Sequence, residues 1–213
     1  MLMIGCDINE EFMFPPPDTI ADVDGNMYHI VKIGTQVWMA ENLKTTKLND
    51  GTYIPLVISN DDWGNLSSPG YCWYNNDAAN NITYGALYNF YAVRSGKLAP
   101  AGWHVPTDAD WTTLVTFLDG DSVAGGKLKE AGTTHWLSPN KGATNEFGFT
   151  ALPGGYRADQ GNYSDLGSLC IWWSSTIVDT TYGYARFMNH DLTYIIRFEN
   201  SEMDGLSVRC VKD

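Results

Sequence analysis

The sequence contains no long apolar run and few basic residues. No segment approaches the roughly 18 consecutive apolar residues of a membrane-spanning helix, so no part of the chain is expected to cross a bilayer. Thirteen lysines and arginines stand against 25 aspartates and glutamates, which gives a net charge of -12 at pH 7. A surface with this charge repels a phosphate backbone, so nucleic acid is not expected as a partner.

The sequence also lacks the motifs of common catalytic and metal sites. It has no His-x-His or His-Glu-x-x-His pair, no Gly-x-Ser-x-Gly elbow and no Walker loop. We therefore predict no catalytic residue and no resident cofactor, although 25 acidic residues leave a carboxylate pair open. The four histidines are isolated in sequence and are each predicted to be structural: His29, His104, His135 and His190.

Cysteine is scarce, and the four cysteines lie far apart. Cys72, Cys170 and Cys210 have no Cys-x-x-Cys partner that would indicate a zinc or redox site. If Cys6 is modified, at most one disulfide can form, and we expect it between Cys210 and either Cys72 or Cys170. The alternative is that these thiols are reduced, buried and packed as small apolar side chains.

The composition indicates one packed domain over residues 21–213, with no linker inside it. Hydrophobic residues make up 44% of the chain and aromatic residues 13%, which is typical of globular proteins rather than disordered ones. Helical patterns come first and strand patterns follow. We therefore predict an α+β domain, with two main helices packed on short twisted antiparallel sheets that are joined by long loops.

The clearest local signal is a helix that starts after Thr107. Its hydroxyl can cap the helix, and Asp110, three residues later, can accept a hydrogen bond from the cap's own N–H. Asp108 adds favourable negative charge to the first turn. Trp111, Leu114, Val115 and Leu118 follow at helical spacing and predict one apolar face.

Weaker patterns predict the remaining elements. A turn at Asp24-Gly25 should lead into a strand over 27–33. The sequence further predicts a helix through Tyr84, Leu87, Tyr88 and Tyr91 that ends at Ser95-Gly96, a short helix over 126–131, a hairpin of 184–188 with 193–199, and a last strand over 206–211.

The first 20 residues have a different character. Met3 to Cys6 resembles the end of a bacterial lipoprotein signal, and the acidic residues after Cys6 resemble the surface-export signal of lipoproteins in the Bacteroidota. A Pro-rich segment at 14–18 favours a stiff polyproline spacer. We expect a lipid on Cys6 and a tether over 1–20, so that the protein is secreted or held at the outer-membrane surface, with that lipid as its one membrane contact. The alternative is a frayed N-terminus with a chance cysteine, since the apolar part of a signal peptide is not present.

Aromatic residues are abundant, with eight tryptophans and twelve tyrosines, and several stand among Asn and Asp in loop-like segments. An aromatic face can stack on a sugar ring while amides and carboxylates bind its hydroxyls, and the same residues suit a protein-binding surface. The side-chain oxygens of Asn75, Asn76 and Asp77 could bind calcium. The alternative is a turn that uses the left-handed backbone conformation that Asn tolerates. The aromatic candidates lie in less patterned loops and are better surface candidates than those of patterned segments; the alternative is that they pack under the loops. The ligand-binding candidates are Trp63, Tyr74, Asn75, Asn76, Asp77, Trp136, Tyr163 and Tyr182.

Two arginines are notable in so acidic a chain. Arg157 and Arg209 are each expected to be buried in a bidentate pair with a carboxylate, rather than to bind an anionic ligand.

Seven segments in order resemble one known family, the Fibrobacter succinogenes major paralogous domain, which is abundant in secreted and lipid-anchored bacterial proteins. The resemblance covers residues 21–213, and its motifs lie at 34–44, 71–77, 84–89, 102–107, 148–157, 172–176 and 205–210. It implies core positions for the aromatic residues of these motifs, namely Tyr71, Trp73, Trp103, Trp111, Trp172 and Trp173.

That family is in turn similar to the formylglycine-generating (sulfatase-modifying) branch of the C-type-lectin-like fold. The resemblance implies a C-type-lectin-like domain. The enzymes of that branch use a close pair of cysteines that binds copper, and Cys170 and Cys210 have no companion at short spacing that would supply it.

Three functional hypotheses follow. The leading one is a non-catalytic adhesin-like module at the cell surface that binds a glycan or a surface protein. The second is an enzyme of the formylglycine-generating-like branch with an unrecognised metal site or carboxylates. The third is a structural subunit of a surface assembly.

Overall fold

The computed structural model describes residues 18–213. The predicted lipidation at Cys6 and nearly all of the predicted tether lie outside these residues. The helices are α1 (Asn60–Gly64), α2 (Ala78–Tyr84), α3 (Phe90–Arg94), α4 (Asp108–Phe117) and α5 (Asp121–Leu128), with a 3₁₀ turn at Tyr74–Asn76. The strands are β1 (Thr19–Ala21), β2 (Met27–Ile33), β3 (Gln36–Met39), β4 (Tyr71–Cys72), β5 (Leu87–Tyr88), β6 (Trp103–His104), β7 (Gly154–Arg157), β8 (Tyr163–Leu166), β9 (Leu169–Ile177), β10 (Tyr182–Asn189), β11 (Ile196–Ser201) and β12 (Val211–Lys212).

The architecture is mixed α and β, with sheets outweighing the short helices. An N-terminal sheet has the strand order β1-β2-β3-β12-β6, so the last strand lies between β3 and β6. A C-terminal sheet has the order β11-β10-β9-β7-β8, and β4 and β5 form a small third sheet. The pairs are antiparallel except for the parallel pair of β7 with β9. None of the helices in the described part of the chain is long and apolar enough to cross a bilayer.

Helix α4 begins as the sequence predicts. The hydroxyl of Thr107 accepts a hydrogen bond from the Asp110 N–H at 3.1 Å, and the Asp110 carboxylate accepts one from the Thr107 N–H at 2.8 Å. The apolar face of the helix is buried, and the Trp111 ring lies 4.9 Å from that of Trp38 in β3. The predicted hairpins are also confirmed, since β1 pairs with β2 and β10 pairs with β11.

The predicted helix over 84–95 is wrong. Gly85 ends α2 with φ +79°, and a Cβ there would lie 2.9 Å from the Leu43 carbonyl oxygen. Only glycine fits such a left-handed, crowded position, so the chain leaves the helix and forms β5. Asn89 then caps a new helix, α3, by accepting from the Ala92 N–H.

Two other predicted elements differ in extent. Helix α5 begins at Asp121 and ends at Leu128, earlier than the predicted 126–131. The predicted strand over 206–211 is reduced to β12, because the preceding residues form single bridges to different partners rather than one ladder. Leu206 pairs with Tyr88, and Ser207 pairs with Trp172. This segment therefore joins the sheets to one another.

The interior consists of three apolar clusters, and each contains one free, buried cysteine. Cys210 lies in the largest cluster, Cys170 lies with the tryptophans around α4, and Cys72 lies beside Trp63. The predicted disulfide is therefore wrong, and the alternative of reduced, buried thiols is confirmed. Burial raises the pKa of each thiol, which makes all three poor nucleophiles.

Arg157 and Arg209 are buried as predicted, but their partners are not carboxylates. Arg157 donates to the carbonyl oxygens of Val57 at 2.6 Å and Gly161 at 2.9 Å. Arg209 donates to the Asn42 side-chain oxygen at 2.8 Å and to the Phe149 carbonyl oxygen. Each guanidinium thus binds acceptors from several loop segments at once. A single carboxylate partner would not connect these segments.

Candidate functional site

The C-terminal sheet carries an open pocket of about 390 Å³ on one face. Its size is within the range of small-molecule sites. The pocket is lined by Tyr156, Ala158, Asp159, Asp165, Leu169, Ile171, Phe187, Phe198, Asn200 and Asp204.

The alternation of side chains along the strands explains why these residues share a face. Leu169 and Ile171 are two apart in β9, and Phe198 and Asn200 are two apart in β11, so each pair points to the same side. Phe187 in β10 lies directly opposite Ile171. Its ring stands 5.2 Å from that of Phe198 and nearly perpendicular to it, which is a favourable aromatic geometry.

Two aspartates far apart in sequence meet at the polar side of the pocket. Arg157 and Gly205 exchange backbone hydrogen bonds of 2.9 and 2.7 Å, which places Asp204 beside Asp159. A Cβ on Gly205 would lie 2.8 Å from the Trp63 ring, so glycine is needed for this close passage. The fold itself therefore brings the two aspartates to the same pocket.

Asp204 is the most perturbed group in the pocket. It is 9% exposed, and its carboxylate accepts a hydrogen bond of 2.7 Å from the Asn200 side-chain amide. Burial raises its pKa to about 6; the charge of Asp159 adds to the rise, and hydrogen bonds from the backbone N–H groups of Asp159 and Ser201 oppose it. Burial and the charges of Asp165 and Asp204 also raise the pKa of Tyr156.

The other buried acids are better compensated. The Asp22 carboxylate accepts four hydrogen bonds, from the backbone N–H groups of Asp24 and Asn26, the Asn26 amide and the Tyr28 hydroxyl. Glu202 forms an ion pair of 2.8 Å with Arg94. Among residues 18–213, neither Asp204 nor Asp159 takes part in an ion pair.

A second cavity, of about 320 Å³, lies beside the N-terminal sheet, with His29, Glu41 and Thr83 among its lining residues. His29 and Glu41 bind each other at 2.6 Å. Arg209 also lines the cavity, but its guanidinium is 1% exposed and is held by Asn42 and by backbone carbonyls. Burial lowers its pKa to about 9. The polar groups here are engaged with one another, so this cavity is the weaker candidate.

Three of the predicted surface aromatics are buried, so their predicted placement is wrong. Trp63 is fully buried and donates to the Met203 carbonyl at 2.8 Å, while Arg157 stacks 4.5 Å from its ring. Trp136 is 2% exposed and donates to the Ala151 carbonyl at 2.9 Å. Tyr74 is 8% exposed. Their polar sequence neighbours gave no sign of these distant contacts.

The other predicted residues lie at or near the surface but outside the pocket. Asn75 and Asn76 are exposed and have φ of 54° and 56°, as the alternative of a left-handed turn predicts. Asn76 accepts from the Tyr163 hydroxyl at 2.8 Å, and exposed Asp77 caps α2 by accepting from the Ala79 N–H at 2.9 Å. Tyr182 is 42% exposed, at the start of β10.

Within residues 18–213 no group of three or more His, Cys, Asp or Glu side chains is arranged to hold a metal ion. Calcium at Asn75, Asn76 and Asp77 stays a prediction. The side-chain amide of Asn76 is already engaged, since it donates to the Ile58 carbonyl at 3.0 Å.

The sequence analysis did not identify the pocket residues. Phe198 and Asn200 are two apart in a strand, and this spacing could have indicated that an aromatic and a polar side chain share one face of the sheet. The meeting of Asp159 with Asp204 has no local signal, because it depends on the tertiary bridge between Arg157 and Gly205.

Comparisons with known proteins give one match. The family model described as the Fibrobacter succinogenes major domain matches residues 31–212. No curated protein and no solved structure matches the chain.

Proposed function

The chain belongs to the Fibrobacter succinogenes major domain family, and we propose that it is a non-catalytic binding module whose sheet pocket holds a glycan. The observation that carries the proposal is the composition of the pocket, in which aromatic and aliphatic walls meet three carboxylates and an amide. Aromatic walls pack on the C–H faces of a sugar ring, and the oxygens accept hydrogen bonds from its hydroxyls.

A glycan fits this pocket better than a protein surface does. Protein interfaces bury about 800 Å² on each partner and are mostly flat. The pocket is concave and has polar groups at one side only, which suits a ligand with one apolar and one hydroxylated face. A surface protein remains the alternative partner, and the exposed Tyr182 and the loop at Asn75 are where it would bind.

The proposal can be tested by a glycan array followed by calorimetric titration of the sugars that bind. Phe198→Ala should weaken binding about tenfold, because one aromatic contact contributes about 1 kcal/mol or more. Asn200→Ala should weaken it as well. Tyr182→Ala removes an exposed aromatic side chain outside the pocket and should leave affinity unchanged.

The outcome that contradicts this site is equally clear. If Tyr182→Ala abolishes binding and Phe198→Ala does not, the ligand binds at the loops named from the sequence. A blank array, with and without calcium, contradicts glycan binding altogether.

An enzyme is the second candidate, and the neighbouring carboxylates favour it. Asp204, with a pKa of about 6, is available as a proton donor near neutral pH, while Asp159 beside it can act as base or nucleophile. If the protein hydrolyses the bound glycan, and both Asp204→Asn and Asp159→Asn abolish this activity, the protein is a glycoside hydrolase rather than a binding module.

The finer fold assignment belongs to the proposal too. We place the chain in the C-type-lectin-like class, supported by a sheet in which β12 pairs with β3 and β6 and by a second sheet joined through long loops. A measured structure whose strand connections match another class would contradict it.

We also propose attachment to the outer surface of the cell through a lipid on Cys6. The support is the resemblance of Met3 to Cys6 to the end of a lipoprotein signal, together with the acidic residues after Cys6. Mass spectrometry of protein from the native membrane would show a diacylglyceryl-modified Cys6, and an unmodified thiol there would contradict the anchor.

A further inference from the structure

The charged residues that line the sheet pocket are all acidic. Asp159, Asp165 and Asp204 line it, and its lining residues include no lysine, arginine or histidine. The nearest arginine in sequence faces away, since strand alternation points Tyr156 into the pocket and Arg157 to the opposite side. There the Arg157 guanidinium donates to the carbonyl oxygens of another segment, including that of Val57.

The aromatic walls add to this preference for positive charge. Tyr156, Phe187 and Phe198 line the same pocket, and the face of an aromatic ring attracts a cation. Carboxylates beside aromatic rings form the usual site for an organic ammonium group. A neutral sugar would satisfy the hydroxyl acceptors and leave the charge of the pocket uncompensated.

The geometry points to a ligand that carries a free amino group, and we propose that the pocket selects amino sugars with an unacetylated amine over neutral, N-acetylated and acidic sugars. This inference rests on the proposed glycan-binding function. The ammonium would lie between Asp159 and Asp204, and the sugar ring would pack on Phe187 and Phe198. A lysine side chain presents the same charge but lacks hydroxyls for Asn200 and for the remaining carboxylate oxygens, so the polar lining favours the sugar.

Three tetrasaccharides with the same β-1,4 linkage separate these alternatives, because they differ only at the second carbon of each ring. They are cellotetraose with a hydroxyl, the glucosamine tetramer with an amine, and its fully N-acetylated form. Titration into the wild-type protein near neutral pH should give about tenfold tighter binding of the glucosamine tetramer, the scale of one desolvated cation contact. The advantage should shrink as salt is added.

Matched variants connect the preference to the two aspartates. Asp159→Asn and Asp204→Asn should each reduce the ratio of the affinities for the glucosamine tetramer and cellotetraose. Asp191→Asn removes one exposed charge in the loop after β10 and should leave the ratio unchanged.

Each other outcome overturns a specific statement. Equal or tighter binding of cellotetraose overturns the amino-sugar inference and leaves glycan binding intact. Binding of a lysine-rich peptide without any tetrasaccharide overturns glycan binding and assigns the pocket to protein lysines. An unchanged affinity ratio in both pocket variants overturns the role of the aspartates.

Discussion

Replacing Asp204 with asparagine should make the protein more stable at neutral pH. Burial and the charge of Asp159 raise the pKa of Asp204 from its ordinary 3.8 to about 6. Since one pKa unit equals about 1.4 kcal/mol, ionisation of Asp204 in the folded protein costs about 3 kcal/mol. Asparagine carries no charge, but it weakens the hydrogen bonds that the carboxylate accepts from the Asn200 amide and from the backbone N–H groups of Asp159 and Ser201, a loss of about 1–2 kcal/mol. We expect a net gain of about 1–2 kcal/mol in the free energy of unfolding at pH 7.

The pH dependence of the free energy of unfolding gives the sign of this effect independently. The folded state holds the Asp204 proton more tightly than the unfolded state does, so the wild-type protein loses stability as pH rises from about 4 to about 6. The variant lacks this loss. Below about pH 4 the variant should therefore be less stable than the wild type by the lost hydrogen bonding alone. Its relative stability should rise between about pH 4 and 6 and stay constant above that range.

Urea unfolding followed by tryptophan fluorescence at a series of pH values measures this difference. Asp191→Asn is the control, because it removes an exposed acidic side chain and leaves the pocket intact. The gain should occur only in Asp204→Asn, together with weaker ligand binding, which is the usual relation between a strained site and stability. A variant that is destabilised equally at pH 4 and pH 7 would show that Asp204 is a structural acceptor and refute the reasoning.

Three further predictions concern the scaffold. Thr107→Ala should destabilise the protein by about 1–2 kcal/mol in urea unfolding, since it removes the cap of α4, whereas Thr113→Ala on the exposed face should change stability little. Gly85→Ala should cost at least about 1 kcal/mol more than Gly96→Ala, because both positions have positive φ but only the first meets backbone within 3 Å; equal losses would contradict the crowding at Gly85. The three cysteines of the domain should react with a thiol reagent only after unfolding, and rapid reaction in the native state would contradict their burial.

The sequence predicted those parts of the fold whose determinants are local. Helix α4 has its cap, its first-turn charges and its apolar face within a dozen residues, and all of them act as expected. The β10–β11 hairpin likewise depends on adjacent strands. The helix predicted over 84–95 failed because the pattern of tyrosines resembles a helical face, while Gly85 and Asn89 end one helix and start the next.

The candidate site could not be predicted from the sequence, because it depends on contacts between distant parts of the chain. Trp63 stands between aspartates and asparagines, so its neighbours indicate exposure. Its ring is nevertheless covered by Arg157, and its indole N–H donates to the Met203 carbonyl oxygen, both far along the chain. The pocket likewise depends on contacts that join residues near 157 with residues near 205. Burial of this kind follows from tertiary packing, which no local pattern encodes.

The partners of the buried charged side chains differ between the scaffold and the pocket. Several buried cations of the scaffold have several acceptors: Lys129, for instance, donates to the carbonyl oxygens of Lys141, Asn189 and Leu192. Asp22 is similarly saturated with donors. Asp204 is buried as deeply as Asp22, but the Asn200 amide and the backbone N–H groups of Asp159 and Ser201 do not offset its burial and the nearby charge of Asp159, so its pKa stays raised. A structural acid in that position gains nothing from a second carboxylate beside it, whereas a cationic ligand would compensate both charges at once. The incomplete compensation of Asp204 is therefore the physical reason to assign binding to this face of the sheet rather than to the cavity beside Arg209.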